Sequence, residues 1–80
     1  MSGNPDETVR RLRWQCRRGL LELDLLFLRF LEQRYRALNT DEQVAFQRLL
    51  EQPDQMLLGW IQGQQEPPTD LKKIIHIIVQ

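Results

Sequence analysis

The sequence predicts an all-α protein, a small single-domain bundle of about five short helices. Apolar residues recur at helical spacing along most of its 80 residues. Prolines, glycines and capping residues separate the apolar stretches at positions where helices start and stop. We therefore expect one domain over residues 1–80, with residues 1–5 disordered.

The first predicted helix follows Asn4-Pro5-Asp6, which is typical of a turn or a helix start. Val9, Leu12 and Cys16 stand at positions i, i+3 and i+7 and give a narrow apolar stripe. Trp14 and the arginines occupy much of the remaining surface. Five guanidinium groups stand within nine residues: Arg10, Arg11, Arg13, Arg17 and Arg18.

Gly19 marks the junction between this basic segment and the most apolar stretch of the chain. As the residue that ends the first helix, it would adopt the left-handed conformation, which glycine reaches without a Cβ penalty. If the helix instead continued through the junction, Arg18 and Glu22 would share one face beside bare backbone. A guanidinium fork, a carboxylate and an accessible backbone together suit recognition of another molecule.

The second predicted helix runs from Leu20 to Arg36 and is the central one. Its apolar residues surround most of the helix near its start, so we expect neighbouring elements to pack on two sides. Tyr35 is an amphipathic residue in its polar second half. The two apolar stripes are Leu20, Leu23, Phe27 and Leu31 on one side and Leu21, Leu25 and Leu28 on the other.

The third predicted helix starts at a capping box, in which Thr40 is the N-cap and Gln43 stands three residues later. It ends before Pro53, because a residue that precedes proline avoids helical geometry. A short fourth helix runs from Pro53, which suits a first helical position, to Gln62. The side chains expected to point inward are Val44, Phe46, Leu49 and Leu50 in the third helix, and Met56, Leu57, Trp60 and Ile61 in the fourth.

The C-terminal segment follows a surface connector, residues 63–69, that contains Gly63 and Pro67-Pro68. Its β-branched residues would also suit a strand, but a lone strand lacks a partner. We therefore predict a helix from Asp70 to Gln80, capped by Thr69. Its apolar stripe comprises Leu71, Ile74, Ile75 and Ile78.

Composition limits the classes of partner and the compartment. The chain carries 11 basic and 11 acidic residues, and a formal net charge of zero gives no general attraction to nucleic acid or acidic lipid. Its one cysteine excludes an internal disulfide and fits a reducing compartment. The start lacks the regions of a secretory signal, and no apolar run approaches the roughly 20 residues that span a bilayer. We expect a cytoplasmic protein without direct membrane insertion.

The residues that usually carry catalysis or bind metals are few. His76 stands in an isoleucine-rich stripe, where an ordinary helix residue needs no function. Cys16 lies on an apolar stripe, which favours a small core residue over a reactive thiolate. Trp14 and Trp60 fit core or interface positions, and we favour the core. The sequence has no zinc spacing, no nucleotide-binding glycine loop and no calcium loop. We predict a helical binding module with no catalytic residue and no metal site, and not an enzyme.

Arg18-Gly19-Leu20-Leu21-Glu22 resembles the Arg-Gly-x-x-Glu motif of the FAD assembly factor SdhE family, small assembly factors for the flavoprotein subunit of succinate dehydrogenase. The resemblance covers roughly Arg13 to Gly63. Met56 departs from it, since relatives often carry an acidic residue there. The other matching residues are Trp14, Cys16, Leu23-Asp24, Phe30-Leu31-Glu32, Tyr35, Leu38, Asp41-Glu42, Phe46, Leu49-Leu50-Glu51, Asp54, Leu57 and Trp60.

The resemblance implies a five-helix protein that binds the FAD-containing subunit of succinate dehydrogenase and promotes covalent attachment of FAD to a histidine of that subunit. FAD is then reached through the partner, and the chain has no cofactor of its own. The flavin supplies the electrophile, while the assembly factor holds a reactive geometry. We expect a monomer that does not bind nucleic acid, and fumarate reductase is left open as a second client.

By the same resemblance, the partner-binding residues are Arg18, Gly19, Glu22, Arg17 and Asp24. Arg18 would engage an acidic or carbonyl group of the partner near the flavin, and Gly19 would permit close backbone approach. Glu22 would orient Arg18 or meet a cation of the partner, with Arg17 and Asp24 at the rim. Replacing Arg18 by alanine is then expected to leave the fold intact and to remove activity.

Two other functions stay open on the residues alone. The basic first helix, with Trp14, would bind nucleic acid, and retention on DNA or RNA would then depend on salt. Alternatively, the chain is a small helical protein-binding adaptor in which Gly19 serves only as a helix cap.

Overall fold

The computed structural model describes the backbone of residues 5–79 and the side chains of residues 7–79. This part of the chain forms five α-helices and one short 3-10 turn, with no strand, and the predicted all-α class is confirmed. Of the segment predicted to be disordered, Pro5 begins the first helix and residues 1–4 lie outside the described residues. The elements are α1 (Pro5–Gln15), α2 (Leu21–Gln33), the 3-10 turn (Tyr35–Ala37), α3 (Thr40–Leu49), α4 (Asp54–Ile61) and α5 (Thr69–Val79).

The core contains apolar side chains from all five helices, and an aromatic cluster lies at its centre. Phe46 on α3 meets Phe27 edge to face, with ring centroids 6.3 Å apart, an arrangement that aromatic pairs prefer. Phe30 and Tyr35 pack on the same ring at 5.3 and 5.6 Å. The buried core residues are Val9, Leu12, Cys16, Leu23, Phe27, Phe30, Leu31, Tyr35, Phe46, Leu49, Leu50, Leu57, Trp60, Leu71, Ile74, Ile75 and Ile78.

The central helix α2 is shorter than predicted. It ends at Gln33, because Arg34 leaves helical geometry with φ of −131° and the next three residues form the 3-10 turn. This break places Tyr35 in the core, where its hydroxyl accepts a hydrogen bond from Gln47 Nε2 at 2.8 Å. At the other end, Leu20 is the N-cap and lies outside the helix.

The two predicted apolar stripes of α2 are covered to different extents. In the first stripe, Leu23, Phe27 and Leu31 are buried. In the second, Leu28 is half-buried against the core, whereas Leu21 is 73% exposed and Leu25 is 54% exposed. α1 and α5 both contact α2. The second predicted stripe is therefore covered at Leu28, and Leu21 and Leu25 face solvent.

The start of α3 is capped one residue earlier than predicted. The N-cap is Asn39: its Oδ1 accepts a hydrogen bond from the backbone N–H of Glu42 at 2.8 Å. Glu42 Oε1 in turn accepts one from the backbone N–H of Asn39 at 3.1 Å, which completes the capping box. Asparagine is a better N-cap than threonine, so Thr40 becomes the first helical residue.

Pro53 precedes α4 as its N-cap, so the prediction that it is the first helical residue was wrong. Val44 and Met56 were also expected to point inward, and both are exposed. Each stands away from the buried stripe of its own helix, which Phe46 defines in α3 and Leu57 in α4.

The predicted C-terminal helix is confirmed as α5. Thr69 is its first helical residue, so the prediction that Thr69 caps the helix from outside was wrong. The predicted end, Gln80, lies outside the described residues. The buried residues of α5 are the predicted stripe, Leu71, Ile74, Ile75 and Ile78. This stripe packs mainly against α3, and such burial outweighs the slight preference of β-branched residues for strands. None of the described helices is long and apolar enough to cross a membrane.

Candidate functional site: the loop between α1 and α2

Residues 16–20 connect α1 to α2 and are called the motif loop below. α1 ends at Gln15, four residues before Gly19, so Gly19 does not cap it and the helix does not continue through the junction. Both helical arrangements considered for Gly19 were therefore wrong, although its predicted left-handed conformation is present. It adopts a left-handed φ of 82° within the loop and is exposed, and a Cβ added there would meet no atom within 4 Å.

The guanidinium of Arg18 points inward and is bonded to other parts of the chain. Its Nε donates to Asp54 Oδ1 at 2.6 Å. Its Nη1 donates to the carbonyls of Leu50 at 2.5 Å and Gln15 at 3.1 Å. Its Nη2 donates to the carbonyl of Gln52. The side chain is only 14% exposed. The Arg18 guanidinium and its four acceptors are together called the Arg18 bridge.

The Arg18 bridge joins elements that are distant in the sequence. Gln15 ends α1, Leu50 follows α3, Gln52 lies in the turn before α4, and Asp54 begins α4. Carbonyls at helix ends lack partners within their own helix, and the planar fork of arginine can bind several of them together. Removing the side chain leaves these acceptors unsatisfied, at a cost of about 1–3 kcal/mol. Arg18→Ala is therefore expected to destabilise the fold, which differs from the expectation drawn from the sequence.

Asp24 fixes the backbone of the same loop. It lies half-buried in the first turn of α2, and its Oδ1 accepts a hydrogen bond from the backbone N–H of Arg18 at 2.6 Å. Arg18 is thus held by its side chain toward α3 and α4 and by its backbone toward α2. The motif loop is restrained on both sides.

Arg17, Gly19 and Glu22 form the outward part of the site, and all three are exposed. The Arg17 guanidinium carbon lies 5.1 Å from the centroid of the Trp14 ring, within cation–π range. Glu22 Oε1 accepts a weak hydrogen bond from Gln62 Nε2 at 3.5 Å. Glu22 bonds toward α4 while Arg18 bonds to Asp54, so the structure does not bring Glu22 and Arg18 together.

Trp14 is 68% exposed, so the prediction of a core position was wrong for this residue. It stands two residues after buried Leu12, which places it on the opposite side of α1. Trp60 is buried as predicted. The exposed indole beside Arg17 adds a large aromatic surface next to the motif loop.

An open groove of about 660 Å³ begins at Glu22 and runs between α2 and α5. Leu25 and Val79, both exposed, contribute apolar surface, and Arg29 adds a cation. The full lining is Glu22, Leu25, Leu26, Arg29, Phe30, Gln33, Arg34, Ile61, Ile78 and Val79. The groove therefore begins at Glu22, two residues after the end of the motif loop.

Cys16, the first residue of the motif loop, is a fully buried core residue, as predicted. Burial raises the pKa of its thiol to about 12, and the positive charge of Arg18 offsets this only in part. The thiol is therefore protonated at neutral pH and is a poor nucleophile. His76 lies exposed on α5, and within residues 5–79 no group of three His, Cys, Asp or Glu side chains is placed to hold a metal ion.

Sequence reasoning missed the link between Arg18 and Asp54. Asp54 matched the family pattern, but 36 residues separate it from Arg18, and no local spacing relates the two. The available indication of a structural role was that Asp54 directly follows Pro53, at the start of a helix, where the helix dipole stabilises a carboxylate.

Comparisons with known proteins match this region and nearly all of the chain. The family model described as flavinator of succinate dehydrogenase matches residues 10–80. The FAD assembly factor SdhE of Coxiella burnetii is 46% identical over 72 residues, which cover 89% of this chain and 88% of the relative. Its counterpart in Pseudomonas aeruginosa is 41% identical over 76 residues, covering 92% and 90%. That of Shewanella oneidensis is 45% identical over 72 residues, covering 90% and 85%. With the motif loop inside the matched region, the chain belongs to the family of flavinators of succinate dehydrogenase.

Proposed function

We propose that this protein is an assembly factor that binds the flavoprotein subunit of succinate dehydrogenase and promotes covalent attachment of FAD to it. Family membership supports the choice of client. The observation that supports a binding role is the motif loop, which internal bonds restrain while Arg17 and Gly19 of the loop and the neighbouring Glu22 of α2 face solvent. A surface that is already ordered loses less conformational entropy on binding.

The residues of the proposed binding surface have different roles. Gly19 has no side chain, so the backbone of a partner can approach it closely. Arg17 and Glu22 carry opposite charges on either side of it and can pair with complementary groups. Arg18 lies in the motif loop, and Asp24 of α2 accepts a hydrogen bond from its backbone N–H, so both residues help to shape this surface. Beyond Glu22, the groove extends the surface along α2.

The chain contributes no catalytic group in this proposal. FAD bound to the partner supplies the electrophilic flavin, and the assembly factor stabilises the geometry in which attachment occurs. The buried, protonated thiol of Cys16 is consistent with this role. The cytoplasmic location, the monomeric state and a second client in fumarate reductase stay predictions.

Binding of nucleic acid, the alternative based on the basic first helix, has less support. Arg18 is turned inward, Arg13 Nη2 lies 3.5 Å from Glu32 Oε2, and Arg17 stacks on Trp14. Three of the five arginines therefore already have partners within the chain.

The function is tested by the covalent flavin content of the succinate dehydrogenase flavoprotein subunit, measured as in-gel fluorescence after denaturation. We expect fluorescence to fall in cells that lack this protein and to return with the wild-type gene. Glu22→Gln removes an exposed charge beside Gly19 and should restore much less fluorescence. Glu51→Gln makes the same change at an exposed site after α3 and should restore it fully.

Fluorescence that deletion leaves unchanged would overturn the assembly-factor function and favour the adaptor alternative. Equal restoration by Glu22→Gln and Glu51→Gln would instead keep the function and exclude Glu22 from the binding surface. The amounts of both variants in the cell are compared by immunoblot, so that loss of protein is not taken for loss of binding.

A further inference from the structure

We propose that Asp54 is a positioning residue for binding of the flavoprotein subunit, and that Arg18 acts through the shape of the motif loop rather than by touching the partner. This inference rests on the proposed function and deepens it. It extends the functional unit from the Arg-Gly-x-x-Glu motif to the start of α4, 36 residues away.

Four of the five hydrogen-bond donors of the Arg18 guanidinium are already occupied. A guanidinium has five N–H donors, and four contacts from Arg18 go to Asp54, Leu50, Gln15 and Gln52. To present its fork to a partner, Arg18 would have to break most of these bonds. Its low exposure also places the guanidinium beneath the loop surface.

The same bonds determine the conformation of the loop. The side chain of Arg18 is held by α3 and α4, and its backbone N–H is held by Asp24 of α2. Gly19 follows immediately and takes its left-handed conformation between these restraints and α2. If the Arg18 bridge is lost, the loop must be ordered when the partner binds, and affinity falls.

Arg18 could contact the partner directly or position the loop, and substitution of Asp54 best distinguishes these two roles. The other acceptors are backbone carbonyls, which substitution does not remove. Asp54 lies outside the motif loop, so replacing it leaves every exposed residue of the loop in place. If Arg18 contacted the partner directly, removal of Asp54 would release the Nε donor of its guanidinium and leave binding unchanged or tighter. If Arg18 acts by positioning, the same change weakens binding.

The experiment measures the Kd between the full-length chain and the flavoprotein subunit produced without its assembly factor. We expect Asp54→Ala to raise the Kd about tenfold, the scale set by ordering a few side chains on binding. Arg18→Gln should raise it by a similar factor. The double variant should be no worse than either single variant, since both remove the same restraint.

Asp70→Ala is the matched control. Asp70 also lies in the first turn of a helix and pairs with an arginine, Arg48, at 2.9 Å, but this pair joins α5 to α3. We expect its Kd to equal that of the wild type. Hydrogen exchange of the Arg18 backbone amide, measured without partner, should accelerate in Asp54→Ala and not in Asp70→Ala. All variants are compared at a temperature at which thermal melts show them folded.

Unchanged or tighter binding by Asp54→Ala, with wild-type binding intact, would overturn this inference alone. Additive losses in the double variant would do the same, because they indicate a separate contact of Arg18 with the partner. Failure of the wild-type protein to bind the flavoprotein subunit would overturn the proposed function and this inference with it.

Discussion

Gly19 and Gly63 adopt the same backbone conformation, with φ of 82° and 78°, and an added Cβ meets open space at both. Alanine at either position should therefore cost about 1–2 kcal/mol, the strain of a left-handed residue without a steric clash. We predict similar losses of melting temperature for Gly19→Ala and Gly63→Ala. Only Gly19→Ala should lower flavinylation of the partner, measured where both variants are folded.

The comparison of the two glycine variants separates local geometry from general stability. If both reduced flavinylation equally, loss of stability alone would account for the effect, and Gly19 would have no special place in the binding surface. Gly19→Asn should retain more stability than Gly19→Ala, because asparagine enters the left-handed region more readily than alanine.

At the scale of single residues, the sequence identified the motif but not the direction of its side chains. Arg18 was expected to face a partner, and Trp14 to face the core. Three of the four acceptors that hold the Arg18 side chain lie 32 to 36 residues further along the chain, so its inward orientation is a tertiary property. The family resemblance also gave no orientation, since it matches residue types in order.

The capping box of α3 allows a prediction for one helix. Asn39→Ala removes the side-chain oxygen that accepts from Glu42 and should lower the free energy of unfolding by about 1 kcal/mol. Thr40→Ala should have little effect, because Thr40 is already helical. Urea denaturation of the two variants checks this, and a larger loss for Thr40→Ala would contradict the assigned cap.

Helices were predicted well where their pattern is local. α5 follows from a stripe of four apolar residues and a polar start, both visible within eleven residues. The end of α2 was missed because Tyr35 is drawn into the core by Phe46 and Gln47, which belong to another helix. A local pattern cannot distinguish a polar helix end from a turn that such contacts create.

Across the whole molecule, burial of Cys16 links stability to alkaline pH. The pKa of its thiol is raised from an ordinary value of 9.0 to about 12 in the folded chain. Below pH 9 both states keep the proton, so the thiol gives no pH dependence. Above it the unfolded chain loses the proton first, and we predict that stability falls by up to about 1.4 kcal/mol per pH unit until the folded pKa is reached.

Denaturant unfolding between pH 8 and pH 11 measures this slope, with Cys16→Ala as the control. The control should be less stable at pH 8, because it leaves a small cavity, but its stability should fall less steeply with pH. Equal slopes for the two proteins would show that the thiol does not contribute to the alkaline loss of stability. Other groups that titrate in this range are common to both chains and cancel.

The fold class could be predicted from the sequence, but which apolar side chains the other helices cover could not. Leu21 and Leu25 have the same apolar character as the core residues of α2, yet both are exposed. Apolar side chains of a binding surface and apolar side chains of a core resemble each other in sequence, because removal from water is favourable for both. Only the packing of other elements against α2 distinguishes them.

The Arg18 bridge also determines when, during synthesis of the chain, the motif can reach its folded conformation. The motif leaves the ribosome before its acceptors at Leu50, Gln52 and Asp54, which are added more than thirty residues after Arg18. Contacts between distant residues form late, after the entropy of closing the intervening chain has been overcome. A nascent or truncated chain that ends before α4 therefore carries the whole motif without the conformation that would make it recognisable.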